Sequence, residues 1–265
     1  MDLQVTAEKI NLLADFCGKR DIKELTKEEL MKKYNIEQAD VLILFGGSIL
    51  EGCNIAGKAM LNGAAKKLMI VGGEGHTTES LRKKIKEECP EIITEHKMES
   101  EIMGKYMELK YNIKDYFIEK DSTNCGNNVT YALSLLKEKN INAENIIIIQ
   151  DVSMQHRMEA GFKKYDSSIN IINYASYKVK VVVKNGKLTY DNSNILGMWD
   201  IERYISLLMG EIPRLYDDEN GYGPNGKGFI AHVDVPQDVL DAFKYLKNQY
   251  GDLIRNANPL FASKK

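Results

Sequence analysis

Four consecutive isoleucines, Ile146-Ile-Ile-Ile149, limit what this chain can fold into more than any other stretch. The run is too short for a helix and has no polar side to turn toward water. Such runs suit central strands of a parallel sheet that is covered on both faces. Val41-Leu-Ile-Leu-Phe45 and Leu68-Met-Ile-Val71 have the same character, and Ile169 to Tyr174 and the short Tyr116-Phe-Ile118 extend the series. The strand ends carry small polar residues: Gly46-Gly47-Ser48, Gly72-Gly-Glu-Gly-His76, Glu119-Lys-Asp-Ser-Thr-Asn-Cys-Gly-Asn-Asn128 and Gln150-Asp-Val-Ser153. A helical pattern follows each cluster. The first runs through Ala56, Met60 and Ala64, and the second is a charged helix that Thr77 and Thr78 are expected to cap and that stops before Pro90. Glu99 to Tyr111 reads as a further helix, with Ile102, Met103, Tyr106 and Leu109 on one side. Val129, Ala132, Leu133 and Leu136 form the buried face of the next, and Met154 to Arg157 open another.

This alternation predicts an α/β fold, a Rossmann-like doubly wound and mainly parallel sheet in an α/β/α sandwich. Right-handed crossovers then place the strand-end loops along one edge. Open sheets of this kind bind ligands outside the carboxyl ends of their strands, where the strand order reverses. Segments 46–48, 72–77, 119–125 and 150–157 are therefore expected to converge.

The flanks read differently. Residues 7–34 predict two helices, the second opened by the capping box Thr26-Lys-Glu-Glu. Val179 to Val183 and Lys187 to Tyr190 flank Asn185-Gly186, a hairpin signal. Trp199 to Met209 predicts a helix that Gly210 and Pro213 end, and Gln237 to Gln249 a last one. The Asp- and Gly-rich loop 214–228 between them is longer than connections usually require. The expected organisation is an N-terminal helical arm at 1–39, a ligand-binding α/β domain at 40–190, and a mainly helical C-terminal cap or small second domain at 191–265.

Lys plus Arg number 36 and Asp plus Glu 38, a net charge of −2 without a basic stripe, which argues against nucleic acid as a partner. No apolar run reaches the roughly 20 residues of a membrane span. The first residues lack the basic and apolar regions of a signal peptide. A cytoplasmic protein without a membrane partner is expected. A homo-oligomer is compatible with the sequence, which carries no feature in support of one. The four cysteines form no CxxC pair and the four histidines no metal-spaced pair, so no metal site is expected.

The glycine pairs Gly46-Gly47 and Gly72-Gly73 let backbone approach a ligand, or simply turn the chain. Neither fits GxGxxG, and Lys58 does not stand in a phosphate-binding loop. Ser122, Asn124 and Asn128 lie where a helix begins, suited both to an anion at its N-terminus and to plain capping. Glu99 in a first turn complements the helix dipole, or holds a ribose hydroxyl or an ammonium group. Asp151 ends the isoleucine strand. Arg157 is a cation in a first helical turn, which predicts an anionic ligand group or a neighbouring carboxylate as its partner. Cys125 at a helix start reads as a packing thiol more readily than a nucleophile.

Three stretches carry a resemblance: Asp121-Ser-Thr-Asn-Cys-Gly-Asn-Asn128, Gln150-Asp-Val-Ser-Met-Gln-His-Arg157 and Glu202-Arg-Tyr-Ile-Ser-Leu-Leu-Met-Gly-Glu-Ile-Pro-Arg-Leu215. With the Asp- and Gly-rich 217–226 and His232-Val-Asp-Val-Pro236, they resemble YdcF-like members of the SanA–ElyC–YdcF family, domains without an established reaction. The resemblance runs from about Asp40 to Pro236. It implies a Rossmann-like core with a helical C-terminal part, and binding of S-adenosylmethionine. The ligand edge it implies is Gly46, Gly47, Gly72, Gly73, Glu99, Ser122, Asn124, Asn128, Asp151 and Arg157. Family members commonly carry Thr at the position of Cys125, Glu at Asn127 and His at Met154. Loss of that His removes the best general base from the edge. The expected function is binding of S-adenosylmethionine or a related nucleoside-like small molecule. The alternative is a hydrolase or transferase acting on a phosphorylated, nucleotide-like or envelope-precursor substrate.

Overall fold

A computed structural model describes residues 2–254, so the last part of the expected 191–265 region lies outside the described residues. The chain runs α1 (Leu3–Cys17), α2 (Lys27–Tyr34), β1 (Ala39–Phe45), α3 (Glu51–Leu61), β2 (Ala65–Val71), α4 (Thr78–Glu88), α5 (Glu99–Tyr111) and β3 (Phe117–Glu119). It continues through α6 (Cys125–Glu138), β4 (Asn145–Ile149), α7 (Gln155–Tyr165), β5 (Asn170–Asn173), β6 (Val181–Lys184), β7 (Lys187–Tyr190), α8 (Ile201–Leu215) and α9 (Gln237–Tyr250).

Five strands form one parallel sheet in the order β3-β2-β1-β4-β5, a Rossmann-like α/β fold with helices on both faces. The isoleucine run is β4, buried throughout its four isoleucines, with Ile147 beside Leu42 and Ile148 beside Ile43 of β1. Its alternate side chains enter two different cores. Ile147 and Ile149 join the one formed with α2, α3, α4 and α5, and Ile146 and Ile148 the one formed with α6 and α7. Burial on both faces is why no polar residue interrupts the run.

A third core holds α1, α8, α9 and the hairpin β6–β7 together. The first helix of the chain thus packs with the last ones, through Ile10, Leu13 and Cys17 against residues such as Ile205, Leu208 and Leu246. The hairpin turns at Asn185 and Gly186, with φ of 52° and 70°, the left-handed pair its sequence predicts.

Two local expectations give way. Helix α8 does not end at Gly210; it continues through Pro213 to Leu215. Ile212 and Leu215 are buried in the third core, and burying that extra turn outweighs the bond that proline removes. Thr77 and Thr78 do not cap α4 with their side chains. Their hydroxyls are spent on Glu99 instead.

Candidate functional site

The parallel arrangement brings the strand ends to one rim, and hydrogen bonds continue across that rim beyond the strands. The Gly72 N–H donates to the Glu119 carbonyl at 2.9 Å, the Gly73 N–H to the Ser122 carbonyl at 3.0 Å, and the Gly46 N–H to the Val71 carbonyl at 2.6 Å. The Gln150 side-chain amide donates to the Gly46 carbonyl at 3.3 Å, and the Ser176 N–H to the Gln150 carbonyl at 2.8 Å. Helix α5 joins from above, its Glu99 and Ser100 N–H groups on the carbonyls of Gly73 and Gly72. Segments 46–48, 72–77, 119–125 and 150–157 meet at this rim.

The four glycines serve different ends. A Cβ on Gly46 would lie 2.3 Å from Glu99 Oε2, one on Gly72 3.0 Å from the Gly46 Cα, and one on Gly73 2.4 Å from the carbonyls of Lys120 and Ser122. These three are small because the loops pack on one another. Gly47 is the exception: a Cβ there would meet nothing nearer than Gln150 Oε1 at 3.7 Å, and the residue is partly exposed. It is the glycine of the four that leaves room beside the rim.

Glu99 is buried between Gly46 and α4. Its Oε1 accepts hydrogen bonds from Thr77 at 2.8 Å and Thr78 at 2.9 Å, while Oε2 points toward Gly46. Burial raises its pKa, against the two threonine hydroxyls and Arg82, which lower it. Glu119 turns its Oε1 back onto the N–H groups of Asp121 and Ser122, which fixes the loop into α6. Ser122 is buried, and its hydroxyl has no hydrogen-bond partner among the described residues. Asn124 is the N-cap of α6, its Oδ1 accepting the Asn127 N–H at 3.0 Å. Asn128 is half-buried one turn in, its N–H on the Asn124 carbonyl.

The edge strand β3 is far from β4 in strand order, yet α6 carries its N-terminus back across the sheet. Cys125 Sγ lies 3.6 Å from Met154 Sδ. The start of α6 therefore stands beside the start of α7, where Arg157 sits. That guanidinium is held by Glu211 of α8, with Nε on Oε2 and Nη2 on Oε1 at 3.0 Å. Arg214 shares the same carboxylate at 3.1 Å, and the Tyr222 ring faces both arginines about 6 Å from their centres (6.0 and 5.9 Å). Burial works against the Arg157 charge, and Cys125 and Glu211 beside it outweigh that and raise its pKa. Of the two partners expected for Arg157, the described structure contains the neighbouring carboxylate.

Asp151 is likewise engaged. Its Oδ1 accepts the Ser153 N–H and hydroxyl, and its Oδ2 accepts Trp199 Nε1 at 2.8 Å and the Tyr177 hydroxyl at 3.3 Å. Because the order reverses between β1 and β4, Gly46 to Ser48 and Gln150 to Asp151 stand at the switch point, the place where open α/β sheets form their ligand crevice.

Four residues at this rim were not among the site residues expected from the sequence. Lys84 of α4 is half-buried, donates to the carbonyls of Ser48 and Gly197, and lies 4.8 Å from the centre of the Trp199 ring. Burial lowers its pKa. Gln150 crosses from β4 to Gly46, Gln155 ties the Gln150 N–H to Ile148 and Asn173, and Trp199 reaches Asp151 from the C-terminal region. Gln150 alone had a local signal, a polar residue directly after a buried strand end.

Among the described residues no group of three or more His, Cys, Asp and Glu is arranged to hold a metal ion. No described helix is long and apolar enough to cross a membrane. Outside the rim, the outer side of α4 and the 94–96 turn enclose an open groove of about 500 Å³ lined by Arg82, Lys83, Lys86, Glu79, Glu87 and Glu95 among others. Fold and rim together define an α/β protein of the Rossmann-like class with its polar loops gathered at the strand carboxyl ends. No family model matches this chain.

Proposed function

We propose that this protein binds a nucleoside-like small molecule at the carboxyl ends of its parallel strands, with S-adenosylmethionine the first ligand to test. The observation that carries the reading is the joining of four strand-end loops into one rim that holds a buried carboxylate, Glu99, with one oxygen turned toward Gly46. The residues present suit such a ligand chemically. The second oxygen of Glu99, the one beside Gly46, can accept from a ribose hydroxyl or an ammonium group. Gly47 leaves space beside the crevice, and Asn128 offers an amide in the first turn of α6, while the Asn124 amide is engaged by Asn127. Arg157, bound to Glu211, braces α7 against α8 in this reading and leaves ligand contact to its neighbours. The likeness of segments 121–128, 150–157 and 202–215 to YdcF-like domains adds to the choice of S-adenosylmethionine. Calorimetric titration with S-adenosylmethionine and S-adenosylhomocysteine tests it. Saturable heat that Glu99→Gln and Asn128→Ala each weaken supports the assignment, and a flat titration at millimolar ligand removes it.

A second reading has one specific observation in its favour. A buried carboxyl with a raised pKa at a strand-end rim is the kind of group enzymes use to move protons. In that reading the protein is a hydrolase or transferase for a phosphorylated or nucleotide-like substrate, with Glu99 as the acid or base. Turnover of a phosphoester or methyl-acceptor panel that Glu99→Gln abolishes would favour it over simple binding.

A further inference from the structure

The switch-point crevice is covered by the chain itself. Residues 195–199, between β7 and α8, lie across the loop that follows β1. The Leu196 carbonyl accepts the N–H of Glu51, the first residue of α3, at 3.2 Å. That N–H is one of the donors a helix start leaves open, and Leu50 before it supplies no side-chain cap. The Gly197 carbonyl accepts from Lys84, which also donates to the Ser48 carbonyl at 3.1 Å. Gly197 has φ of +82°, and a Cβ there would sit 2.7 Å from the Ser48 carbonyl oxygen and 3.1 Å from the Leu50 nitrogen. Only glycine fits this approach. Trp199 then closes the far side on Asp151 Oδ2, with Lys84 on its ring at 4.8 Å and Arg203 at 5.7 Å.

The segment follows exposed chain, residues 191–194, and ends at Asp200, the N-cap of α8. Its apolar side chains are only partly buried, Leu196 against one core and Ile195, Met198 and Trp199 against another. Its two carbonyls occupy donors of the kind a ligand oxygen would use, the first N–H of a helix and a lysine ammonium. The exposed run 191–194 and the junction at the start of α8 are the places where backbone rotation would swing the segment without unfolding either core.

We propose that residues 195–199 form a latch over the switch-point crevice, which opens as a unit while the sheet stays folded and so governs access to Ser48, Asp151 and the start of α3. What the latch governs rests on the ligand-binding reading above; the latch motion itself does not. Hydrogen exchange read by mass spectrometry on the full chain tests it, comparing the wild type with Trp199→Phe and with Lys84→Met. Trp199→Phe removes a hydrogen bond to a carboxylate, and Lys84→Met the ammonium on Gly197. Each should speed exchange of the Glu51 amide and of 195–199 by roughly ten- to a hundredfold, while β1 and β4 exchange at the wild-type rate.

Unchanged exchange at Glu51 in both variants overturns the latch. So does acceleration of β1 and β4 to the same extent, because the segment would then be an ordinary part of the core. Trp199 is the sole tryptophan of the chain. Its wild-type emission therefore gives a separate reading on ligand: S-adenosylmethionine at saturation should change its quenching by acrylamide. Fast Glu51 exchange in the variants, with no response of Trp199 and no heat on adding S-adenosylmethionine, upholds the latch and rejects that ligand. Heat on adding S-adenosylmethionine, equal in the wild type and both variants, overturns the latch as the gate.

Discussion

Replacing Glu211 by leucine separates the two roles open to Arg157. Glu211 sits in α8 with its side chain 6% exposed and accepts from Arg157 and Arg214, each 13% exposed. Removing one member of a buried ion pair costs about 3–5 kcal/mol, because the charge left behind has neither water nor a partner. Glu211→Leu strands the Arg157 guanidinium, while Arg214 keeps the Gly210 carbonyl and the Tyr222 hydroxyl, so its cost should lie in this range. Arg157→Leu leaves Glu211 still bound to Arg214, so it should cost less, about 1.5–3 kcal/mol, the worth of charged hydrogen bonds. The double variant Arg157→Leu/Glu211→Leu should be more stable than Glu211→Leu alone, since one stranded charge is gone and two apolar side chains can meet. Urea unfolding followed by far-ultraviolet circular dichroism gives the ranking, as shifts in midpoint at constant slope. An Arg157→Leu protein that unfolds at the wild-type urea concentration but no longer binds ligand would refute the reasoning, and would return Arg157 to the ligand edge.

Other consequences are as specific. Thr78→Val removes a donor to Glu99 and the acceptor of the Gly75 N–H, and should cost about 1–3 kcal/mol in the same unfolding assay. Gly73→Ala places a methyl 2.4 Å from two backbone carbonyls, and should destabilise by about 1–3 kcal/mol through overpacking, which calorimetric melting would show. His232 lies between Asp217 at 2.6 Å and Asp234 at 3.0 Å, and hydrogen bonds to the two carboxylates raise its pKa. A raised histidine contributes stability that is fully present below its ordinary pKa and fades as pH rises through the folded value. The Asp217 pKa is lowered, first by the His232 hydrogen bond, so its contribution is present above the ordinary carboxylate value and fades as pH falls through the folded one. The loop around Asp217 should therefore be held best between those limits. Nuclear magnetic resonance titration should show the His232 pKa falling in Asp217→Asn.

The sheet was legible because its strands are buried on both faces. Runs such as Val41–Phe45 and Ile146–Ile149 admit few other fates, and the turns that follow them carry their own signals. The convergence of four loops follows from strand direction alone. What the loops do to one another was not legible. Gly46, Gly72 and Gly73 read equally as room for a ligand or as room for a neighbour, and only the positions of Glu99, Lys120 and Ser122 assign the space to neighbours. Thr77 and Thr78 carry a capping signal that a carboxylate twenty-odd residues away redirects. The partner of Arg157 is 54 positions along the chain, and Trp199 meets Asp151 across 48. Pairings at such separations leave no periodic trace. The association of α1 with α8 and α9 is similar, since an apolar stripe records that a helix is buried but not which core receives it.

The most direct test of the central claim is a calorimetric titration of the full chain with S-adenosylmethionine, repeated on Glu99→Gln. Binding at the strand-end rim predicts one saturable event per chain in the wild type and a loss of affinity of at least tenfold in the variant. Absence of heat at millimolar ligand, or equal affinity in the two proteins, would contradict it.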